Sequence, residues 1–441
     1  MKISTVLGLL STAALAAGCG GGSNLCDGIA NCIAIDKGAS EVKIKTAFAE
    51  AIDATTIVFG AGTFKLTAQL DVRKNGVTIK GAGRELTLLD FGGSAAGQDG
   101  IHVETTGAFT IEDLTVQDAA ANGIKVLGAK GVTMRRVGGV WSKPAATTNG
   151  RYALYPVQSE DVLLEDSYAK GSSDAGIYVG QCKNVIVRRN KAEGNVAGLE
   201  IENTDSADVY ENEVTGNTSG LMIFGLPGLP LRHNTSKIRV YKNKSIANNL
   251  GNFAEAGGIV SKMPGGFGAL VMASSDVEFF QNQLDNHDSV SIAVVSYCIA
   301  DSKYCEGTPA DPLFDPFPRR VFIHDNTITN SGTKPGDHIL QTPAGLNELA
   351  TVLSNTFGMN GPVPNVLYDG LFAPPLGSDA KNPMSLCLKD NGTITFSNFD
   401  ASTYDSNTIS FPNAKSAANT DQATFTCTLP ALTAVTIPGV T

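Results

Sequence analysis

The chain has 441 residues, 42% of them hydrophobic, and a formal net charge of −10 at pH 7. This length and apolar content are sufficient for a large buried core. The excess of acidic residues argues against nucleic acid or an anionic membrane surface as a partner. An anionic polysaccharide would need a local basic patch or a bridging cation.

The N-terminal residues have the pattern of an export signal. Lys2 is followed by an apolar run and by L-A-A-G-C, which ends at Cys19. This pattern resembles a bacterial lipoprotein signal peptide, which is cleaved before a cysteine that becomes lipidated. We therefore expect loss of residues 1–18 and a lipid anchor on Cys19 as the only membrane contact. Because Gly20 rather than Asp follows the cysteine, the expected location is the outer membrane of the cell envelope.

The remaining seven cysteines suit an exported protein. Proximity in sequence suggests three disulfides, Cys26–Cys32, Cys298–Cys305 and Cys387–Cys427. Spacing alone does not establish this connectivity. Cys182 is left over, and we expect a buried structural thiol there rather than a nucleophile. Residues 19–39 then form a tether and a disulfide-pinned lead-in.

One sequence pattern occurs three times between residues 161 and 224. Gly176, Gly198 and Gly220, each followed by an aliphatic residue, are 22 residues apart. Two asparagine pairs have the same separation, Asn190 with Asn212 and Asn195 with Asn217. A fixed period of this length predicts a solenoid. Apolar residues alternate with others inside each repeat, which predicts short strands. We therefore predict an all-β fold, a right-handed parallel β-helix with asparagine ladders at its turns.

Aligning the strands tests this register. One column is entirely apolar, as an inward face requires, and comprises Ile111, Met134, Leu164, Val187, Val209, Val240, Phe279 and Ile323. Two positions later the column is mostly charged with alternating sign, and comprises Asp113, Arg136, Asp166, Arg189, Glu211, Lys242, Gln281 and Asp325. Stacked neighbours of opposite charge favour a parallel register. These arginines are therefore interpreted as a salt-bridge ladder rather than as a nucleic-acid site.

The N-terminal entry into the solenoid carries a family resemblance. Apolar residues from Ser40 to Ile52 have near-helical spacing, which predicts a short capping helix with Ser40 as N-cap. This helix, followed by I-V-F-G-A-G-T-F and V-T-I-K-G-A-G, resembles the entry into the pectate-lyase-like β-helix superfamily, a carbohydrate-binding and sugar-hydrolase type of fold. The repeats also resemble bacterial parallel β-helix repeat-containing proteins. We expect the β-helix over residues 40–332 and a loop-rich C-terminal cap over residues 333–441.

The outward positions of the second repeated strand are the candidate binding surface. Their side chains form a predicted column of His102, Lys125, Tyr155, Tyr178, Glu200 and Met222, with Glu202 at the next outward position. Polar and aromatic residues spaced by the strand separation suit an extended sugar chain. The insertion at residues 138–152, with Trp141 and Arg151, is expected to overhang this column. Other insertions are expected at residues 225–236, 250–267 and 296–319. An ordinary solvated strand face is the alternative interpretation.

Elimination or C5 epimerisation of a uronate needs a group that neutralises the carboxylate, a base and an acid. Lys125, Tyr155, Tyr178 and His102 supply these types. Ca²⁺ is a possible cofactor because Asp174, Glu202 and Asp205 offer oxygen ligands; scattered surface acids are the alternative. A D-N-H-D sequence at residues 285–288 partly resembles the D-P-H-D motif of mannuronan C5-epimerases and makes His287 a further catalytic candidate. Arg232 and His233 form another candidate basic pair for binding substrate.

Two classes of function remain open at this point. The first is a surface-anchored enzyme that acts on an extracellular or envelope polysaccharide, favoured as a lyase or C5-epimerase on a uronate chain. The second is a non-catalytic polysaccharide-binding or envelope-scaffold protein. A monomer is expected in either case. Clustering of Lys125, Tyr155, Tyr178 and Glu200 under a loop would favour the enzyme.

Overall fold

The structure, a computed structural model, describes residues 25–305, 311–338, 348–403, 407–408, 410 and 422–440. Nearly all its strands stack in parallel into three long sheets, as the repeats predicted. The signal segment and Cys19 lie outside the described residues.

Sheet 1 has 12 described strands. In stacking order they are β1 (Cys32–Ile35), β2 (Thr56–Phe59), β5 (Val77–Lys80), β8 (Phe109–Glu112), β11 (Lys130–Arg135), β14 (Glu160–Glu165), β17 (Lys183–Arg188), β20 (Asp205–Tyr210), β23 (Thr235–Tyr241), β26 (Ser274–Phe280), β29 (Arg319–His324) and β32 (Leu386–Lys389).

Sheet 2 carries the candidate site. Its described strands are β4 (Leu70–Val72), β7 (Ile101–Glu104), β10 (Ile124–Leu127), β13 (Leu154–Val157), β16 (Ala175–Gly180), β19 (Ala197–Glu202), β22 (Ser219–Phe224), β25 (Phe267–Met272), β28 (Ile292–Val295), β31 (Val366–Tyr368) and β33 (Phe396–Asn398).

Sheet 3 consists of short strands. They are β3 (Gly62–Lys65), β6 (Thr87–Asp90), β9 (Thr115–Gln117), β12 (Gly138–Val140), β15 (Tyr168–Lys170), β18 (Lys191–Glu193), β21 (Glu213–Thr215), β24 (Lys244–Ile246), β27 (Gln283–Asp285) and β30 (Thr327–Thr329). Three described α-helices accompany the sheets, α1 (Glu41–Glu50), α2 (Glu348–Phe357) and α3 (Gln422–Phe425). Short 3-10 helices span Val260–Lys262, Tyr297–Ile299, Ser302–Cys305, Pro335–His338 and Ala401–Thr403. No helix in the described ranges is long and apolar enough to cross a membrane.

The predicted capping helix is present as α1. The Ser40 hydroxyl accepts a hydrogen bond from the Lys43 backbone N–H at 3.3 Å, which satisfies one of the free donors at the helix start. Ile44, Ala47 and Phe48 are buried on the face that covers the solenoid end. Because this end would otherwise expose the apolar interior of the first coil, the helix protects it from water.

The predicted inward column is confirmed residue by residue. Met134 pairs with Ile111 and Leu164, and the same register continues to Ile323. All eight side chains of this column are fully buried. The charged column is also confirmed, since Arg136 pairs with Asp113 and Arg189 with Asp166. Every residue of that column has a left-handed φ, between 51° and 62°. The chain therefore turns at a non-glycine left-handed corner.

Two asparagine ladders run up the inside of the turns. The longer one passes through Asn190, Asn212, Asn243, Asn282, Asn326 and Asn391, and each side-chain N–H donates to the next side-chain oxygen at 2.9–3.0 Å. The shorter one joins Asn195, Asn217 and Asn248. Each rung also donates to a backbone carbonyl, as Asn212 does to Val187. The ladders thus satisfy buried backbone groups that the turns leave unpaired.

The C-terminal region adds further coils and a tail without regular secondary structure that packs on sheet 1. β31, β32 and β33 extend sheets 1 and 2 beyond residue 332. The last residues then run down the outside of sheet 1, where Leu432 and Val435 donate backbone hydrogen bonds to Glu278 and Asp208. Ile437 packs there against two outward apolar residues of sheet 1. This contact covers these two apolar side chains, which would otherwise face water.

The cysteine predictions are largely present in the structure. Disulfides join Cys26 to Cys32 and Cys387 to Cys427. Cys298 is also disulfide-bonded, whereas the side chain of Cys305, its predicted partner, lies outside the described residues. Cys182 is a free thiol, fully buried, and burial raises its pKa to about 12. This thiol is therefore protonated at neutral pH and is a poor nucleophile.

Candidate active site

The candidate site lies on the outward face of sheet 2. Lys125 pairs in register with His102 on one side and with Tyr155 on the other. Tyr178 pairs with Glu200, and Glu200 with Met222. The predicted column is therefore continuous through six neighbouring coils. At the next outward position Gly180 pairs with Glu202.

Three tyrosine rings pack together at the centre of this column. The Tyr152 ring centroid lies 4.6 Å from that of Tyr155 and 4.5 Å from that of Tyr178, and the last two are 4.9 Å apart. The Lys125 ammonium nitrogen lies 5.5 Å from the centroid of the Tyr155 ring. Within the described part of the chain Lys125 forms no ion pair. Its charge is therefore available to an anionic ligand.

Glycine at position 180 makes room for the Tyr178 hydroxyl. The hydroxyl donates a hydrogen bond to the Glu202 carboxyl group at 2.8 Å. A Cβ atom at position 180 would overlap the Tyr178 ring and hydroxyl. The absence of a side chain at position 180 thus lets Tyr178 lie flat across the face and reach Glu202 on the next coil.

Three carboxyl groups, including that of Glu202, cluster around Tyr178. Glu200 and Glu202 are only 1% and 7% exposed, whereas Asp174 keeps partial access to solvent. Burial raises the pKa of Glu202 to about 7, although the hydrogen bond from Tyr178 acts in the opposite direction. Burial also raises the pKa of Asp174 to about 7, against the effects of a hydrogen bond from Tyr152 and of the Arg151 charge.

Glu200 is the most strongly perturbed of the three acids. Burial and the nearby charges of Asp174 and Glu202 raise its pKa well above the ordinary value. Its Oε1 atom is buried without a hydrogen-bond partner. An ionised carboxylate in that environment would be strongly disfavoured. Burial therefore favours the protonated form of all three acids, most strongly that of Glu200.

The three tyrosines are held in their protonated form, and the histidine is held in place by an aspartate. Burial raises the pKa of Tyr155 to about 12 and the pKa values of Tyr152 and Tyr178 well above their ordinary range. All three phenols are therefore protonated at neutral pH. At the open end of the column, His102 Nδ1 lies 2.8 Å from the Asp99 carboxylate, which fixes the orientation of the ring.

Residues 250–267, called the covering segment below, close over one end of the column. Ala254, Val260 and Met263 of this segment share an apolar cluster with Tyr178 and Met222. Arg151 Nη2 donates to the Glu255 carboxylate at 2.7 Å and so joins the end of the 138–152 insertion to the covering segment. The alternative interpretation of an ordinary solvated strand face is wrong for Tyr178, Glu200 and Met222, which are at most 5% exposed.

We expect Gly180→Ala to destabilise the protein by about 1–3 kcal/mol, because the added methyl group displaces Tyr178 from Glu202. Urea denaturation followed by the fluorescence of Trp141, the single tryptophan, measures this change. Gly258→Ala is the matched control, since no atom lies within 4 Å of the position of its added Cβ. Equal stability of the two variants would contradict the close packing of Tyr178 on β16.

Several predicted site residues lie elsewhere. Trp141 does not overhang the column; it is 5% exposed, belongs to the main core, and donates its ring N–H to the Ala119 carbonyl at 2.8 Å. An indole bound in this way is structural. The part of the 138–152 insertion that does reach the site is its end, Arg151 with Tyr152.

His287 is buried in a turn and lies apart from the sheet 2 column. It is 1% exposed, with Nε2 3.0 Å from the Ser245 carbonyl oxygen, and burial lowers its pKa to about 4. Arg232 donates to the Gln181 carbonyl and pairs with Glu160 at 3.1 Å, while His233 pairs with Asp311 at 2.9 Å. These contacts hold the 225–236 insertion on the solenoid.

The proposed calcium ligands are not assembled into a metal site. Asp205 bonds to the hydroxyl of Ser236 and to Lys237, whereas Glu202 is bonded to Tyr178. In the described residues no group of three His, Cys, Asp or Glu side chains is arranged to hold a metal ion. The donor set predicted from sequence therefore does not fit Ca²⁺.

Sequence reasoning missed Tyr152, and it treated Asp174 as a calcium ligand rather than as a buried acid with a raised pKa. Both lie at the start of sheet 2 coils, outside the aligned column. The available signal was the position of Asp174 two residues before Gly176 of the repeat, next to a strand that carries Tyr178.

Comparison with known proteins concerns the fold. Residues 145–302 match the family model described as right handed beta helix region. No curated protein sequence matches the chain. Among solved structures, the A-module of the Azotobacter vinelandii mannuronan C-5 epimerase AlgE4 is similar with 15% identity, a TM-score of 0.44, and coverage of 80% of this chain and 88% of that chain.

Two further solved structures have the same kind of likeness. The AlgE6 A-module from the same organism has 13% identity and a TM-score of 0.43, covering 80% of this chain and 94% of that chain. The alginate lyase from Paenibacillus sp. str. FPU-7 has 17% identity and a TM-score of 0.36, covering 60% of this chain and 93% of that chain. The three stacked sheets and the matched region, in agreement with the resemblance to the pectate-lyase-like superfamily, identify the chain as a right-handed parallel β-helix protein.

Proposed function

We propose that this protein is an envelope-anchored enzyme that acts on a uronate-containing polysaccharide as a lyase or C5-epimerase. The observation that carries the proposal is the cluster of protonated tyrosines and carboxyl groups with raised pKa beside the free charge of Lys125. Strongly perturbed acids beside an unpaired cation on one face are typical of sites for proton transfer. The sequence pattern at Cys19 supports the anchor, and retention of the full chain in membranes tests it.

The first requirement of this chemistry is neutralisation of the substrate carboxylate. Removal of the C5 proton moves negative charge onto the carboxylate at C6, so a positive charge or acidic proton near that group lowers the barrier. Lys125 Nζ lies over the Tyr155 ring, and no carboxylate among the described residues forms an ion pair with it. We assign to it the contact with the substrate carboxylate, with Tyr155 as the surface on which the sugar ring packs.

The second requirement is a base and an acid. Asp174 combines a pKa of about 7 with partial solvent access, which suits a base at neutral pH. The Tyr178 hydroxyl, bonded to Glu202, is a protonated donor. In elimination, the C5–H and C4–O4 bonds break, a C4–C5 double bond forms, Asp174 takes the C5 proton and Tyr178 gives a proton to O4. In epimerisation the C4–O4 bond stays intact, Asp174 takes the C5 proton from one face, and Tyr178 gives a different proton to the opposite face of C5.

The test is incubation of the soluble chain, starting after Cys19, with alginate, pectate and other uronate polymers. Ultraviolet absorbance of unsaturated ends reports elimination, and NMR of the sugar ring reports inversion at C5. We expect Lys125→Ala to reduce kcat/KM by about 10- to 100-fold, because a charged hydrogen bond contributes roughly 1.5–3 kcal/mol.

Lys130→Ala is the matched control, because Lys130 is exposed and lies on β11 of sheet 1 rather than on sheet 2. Equal loss in both variants would show a general charge effect rather than a site. Binding of a polymer without turnover would favour the alternative, a non-catalytic polysaccharide-binding protein. Absence of both turnover and binding on every uronate polymer would overturn the proposal.

A further inference from the structure

The outward face of sheet 2 becomes increasingly buried along the solenoid. At the N-terminal end, the side chains of Arg73 and Glu104, at the next outward position beside the column, are 55% and 51% exposed, and the His102 side chain in the column is 15% exposed. From β16 onwards the outward side chains are almost completely buried, with Glu200 and Met222 each 1% exposed. The tyrosine and carboxyl cluster lies at the boundary between these two halves.

The closed half is a fixed part of the fold. Asn252 in the covering segment donates to the carbonyl oxygens of Val260 and Met263 at 2.8 and 2.7 Å. The backbone N–H of Gly266 donates to Asn248 at 2.8 Å. These bonds brace the covering segment at its base, and its apolar side chains pack on Met222. The covering segment is therefore a wall across the column.

We propose that the enzyme acts on the end of its polysaccharide and not within the chain. The substrate lies along the open coils of β4, β7, β10 and β13, and its terminal sugar abuts the wall beside Tyr178 and Asp174. This inference rests on the proposed function and adds to it the part of the polymer that reacts.

Steric exclusion is the physical reason. Successive coils are about 4.8 Å apart, so the open strands present a row of regularly spaced contacts to several consecutive sugars. Reaction within a chain would require further sugars to continue over Glu200 and Met222. Both side chains are 1% exposed, Met222 shares an apolar cluster with Val260 and Met263, and displacing the wall would expose that cluster to water.

The reaction mode determines the product. In elimination at the end of the chain, the C4–O4 bond nearest the wall breaks, so each turnover releases one short product and leaves a chain shortened by that unit. In epimerisation the inverted sugar lies at the end of the chain. In both cases the rate at fixed polymer mass follows the number of chain ends.

Uronate polymers of graded length test this at equal mass concentration, below saturation. We expect halving of the mean chain length to double the rate, with short products present from the first turnovers. Absence of turnover on every polymer overturns the proposed function. Turnover with a rate independent of chain length and products of broad size overturns the end-directed mode alone.

A variant on the open coils gives an independent readout. We expect Arg73→Ala to raise KM at least twofold for long chains and to leave KM for the shortest reactive oligosaccharide unchanged, because only long chains reach β4. Lys65→Ala, on an exposed position of β3 in sheet 3, is the control. An equal effect of Arg73→Ala on short and long substrates would contradict the placement of the chain along these coils.

Discussion

The free energy of unfolding is expected to fall by roughly 3 kcal/mol through Glu202 as the pH rises from about 4 to about 8. Burial raises the pKa of this carboxyl from 4.5 to about 7, so the folded protein binds its proton more tightly than the unfolded chain. This stabilisation is complete below the unfolded pKa and is lost as the pH rises through about 7. Asp174 and Glu200 change in the same direction, because burial also raises their pKa values.

Glu202→Gln isolates this contribution. The glutamine side-chain oxygen still accepts the hydrogen bond from Tyr178, but the group no longer ionises. We expect the variant to gain roughly 3 kcal/mol relative to the wild type between about pH 4 and pH 8, measured by urea denaturation at each pH. Glu50→Gln, at an exposed position of α1, is the control. Parallel pH curves for the wild type and Glu202→Gln would show that Glu202 is not held in its neutral form.

The fold was predictable because its determinants are local and periodic. Alternating residues such as Val185 and Val187 specify which face points inward, and the spacing from Asn190 to Asn212 sets the coil length. These two signals suffice to place His102, Lys125, Tyr155, Tyr178 and Glu200 in one column, as the structure does. Stacking in register leaves little freedom for another arrangement.

The path of the insertions was not predictable, because an insertion has no period. Tryptophan is a residue type often found in binding sites, yet Trp141 is buried in the core, where its ring N–H donates a hydrogen bond to the Ala119 carbonyl. The covering segment closes over Met222, which no local pattern indicates. Asp174 gains its raised pKa from burial in the folded protein, with opposing effects from Tyr152 and Arg151, so the role proposed for it could not be inferred from its own repeat.

The C-terminal coils were not predictable for the same reason, an interrupted repeat period. Asn391 extends the ladder from Asn326, but 65 residues separate them, so the period is interrupted. Sequence comparison of neighbouring repeats therefore loses the signal at residue 332. The hydrogen bonds of the ladder identify the missing coil, because each buried asparagine needs a partner above and below it.

Removal of the base should have the largest effect on activity. We expect Asp174→Asn to lower kcat by about 10²- to 10⁴-fold, the usual contribution of a positioned general base, with little change in KM. Tyr178→Phe should cause a loss of similar size, since it removes the proton donor that is bonded to Glu202. Asp36→Asn, an exposed position near the N-terminal end, is the matched control.

The pH profile separates this role from a structural one. An acid with a pKa of about 7 accepts a proton only after it ionises, so kcat/KM should rise through about pH 7 and level above it. Over that same range stability falls, because ionisation of the buried acids disfavours the folded state. Activity and stability should therefore change in opposite directions with pH. A rate that rises at about pH 4 instead, as for an ordinary exposed carboxyl, would remove Asp174 from the role of base.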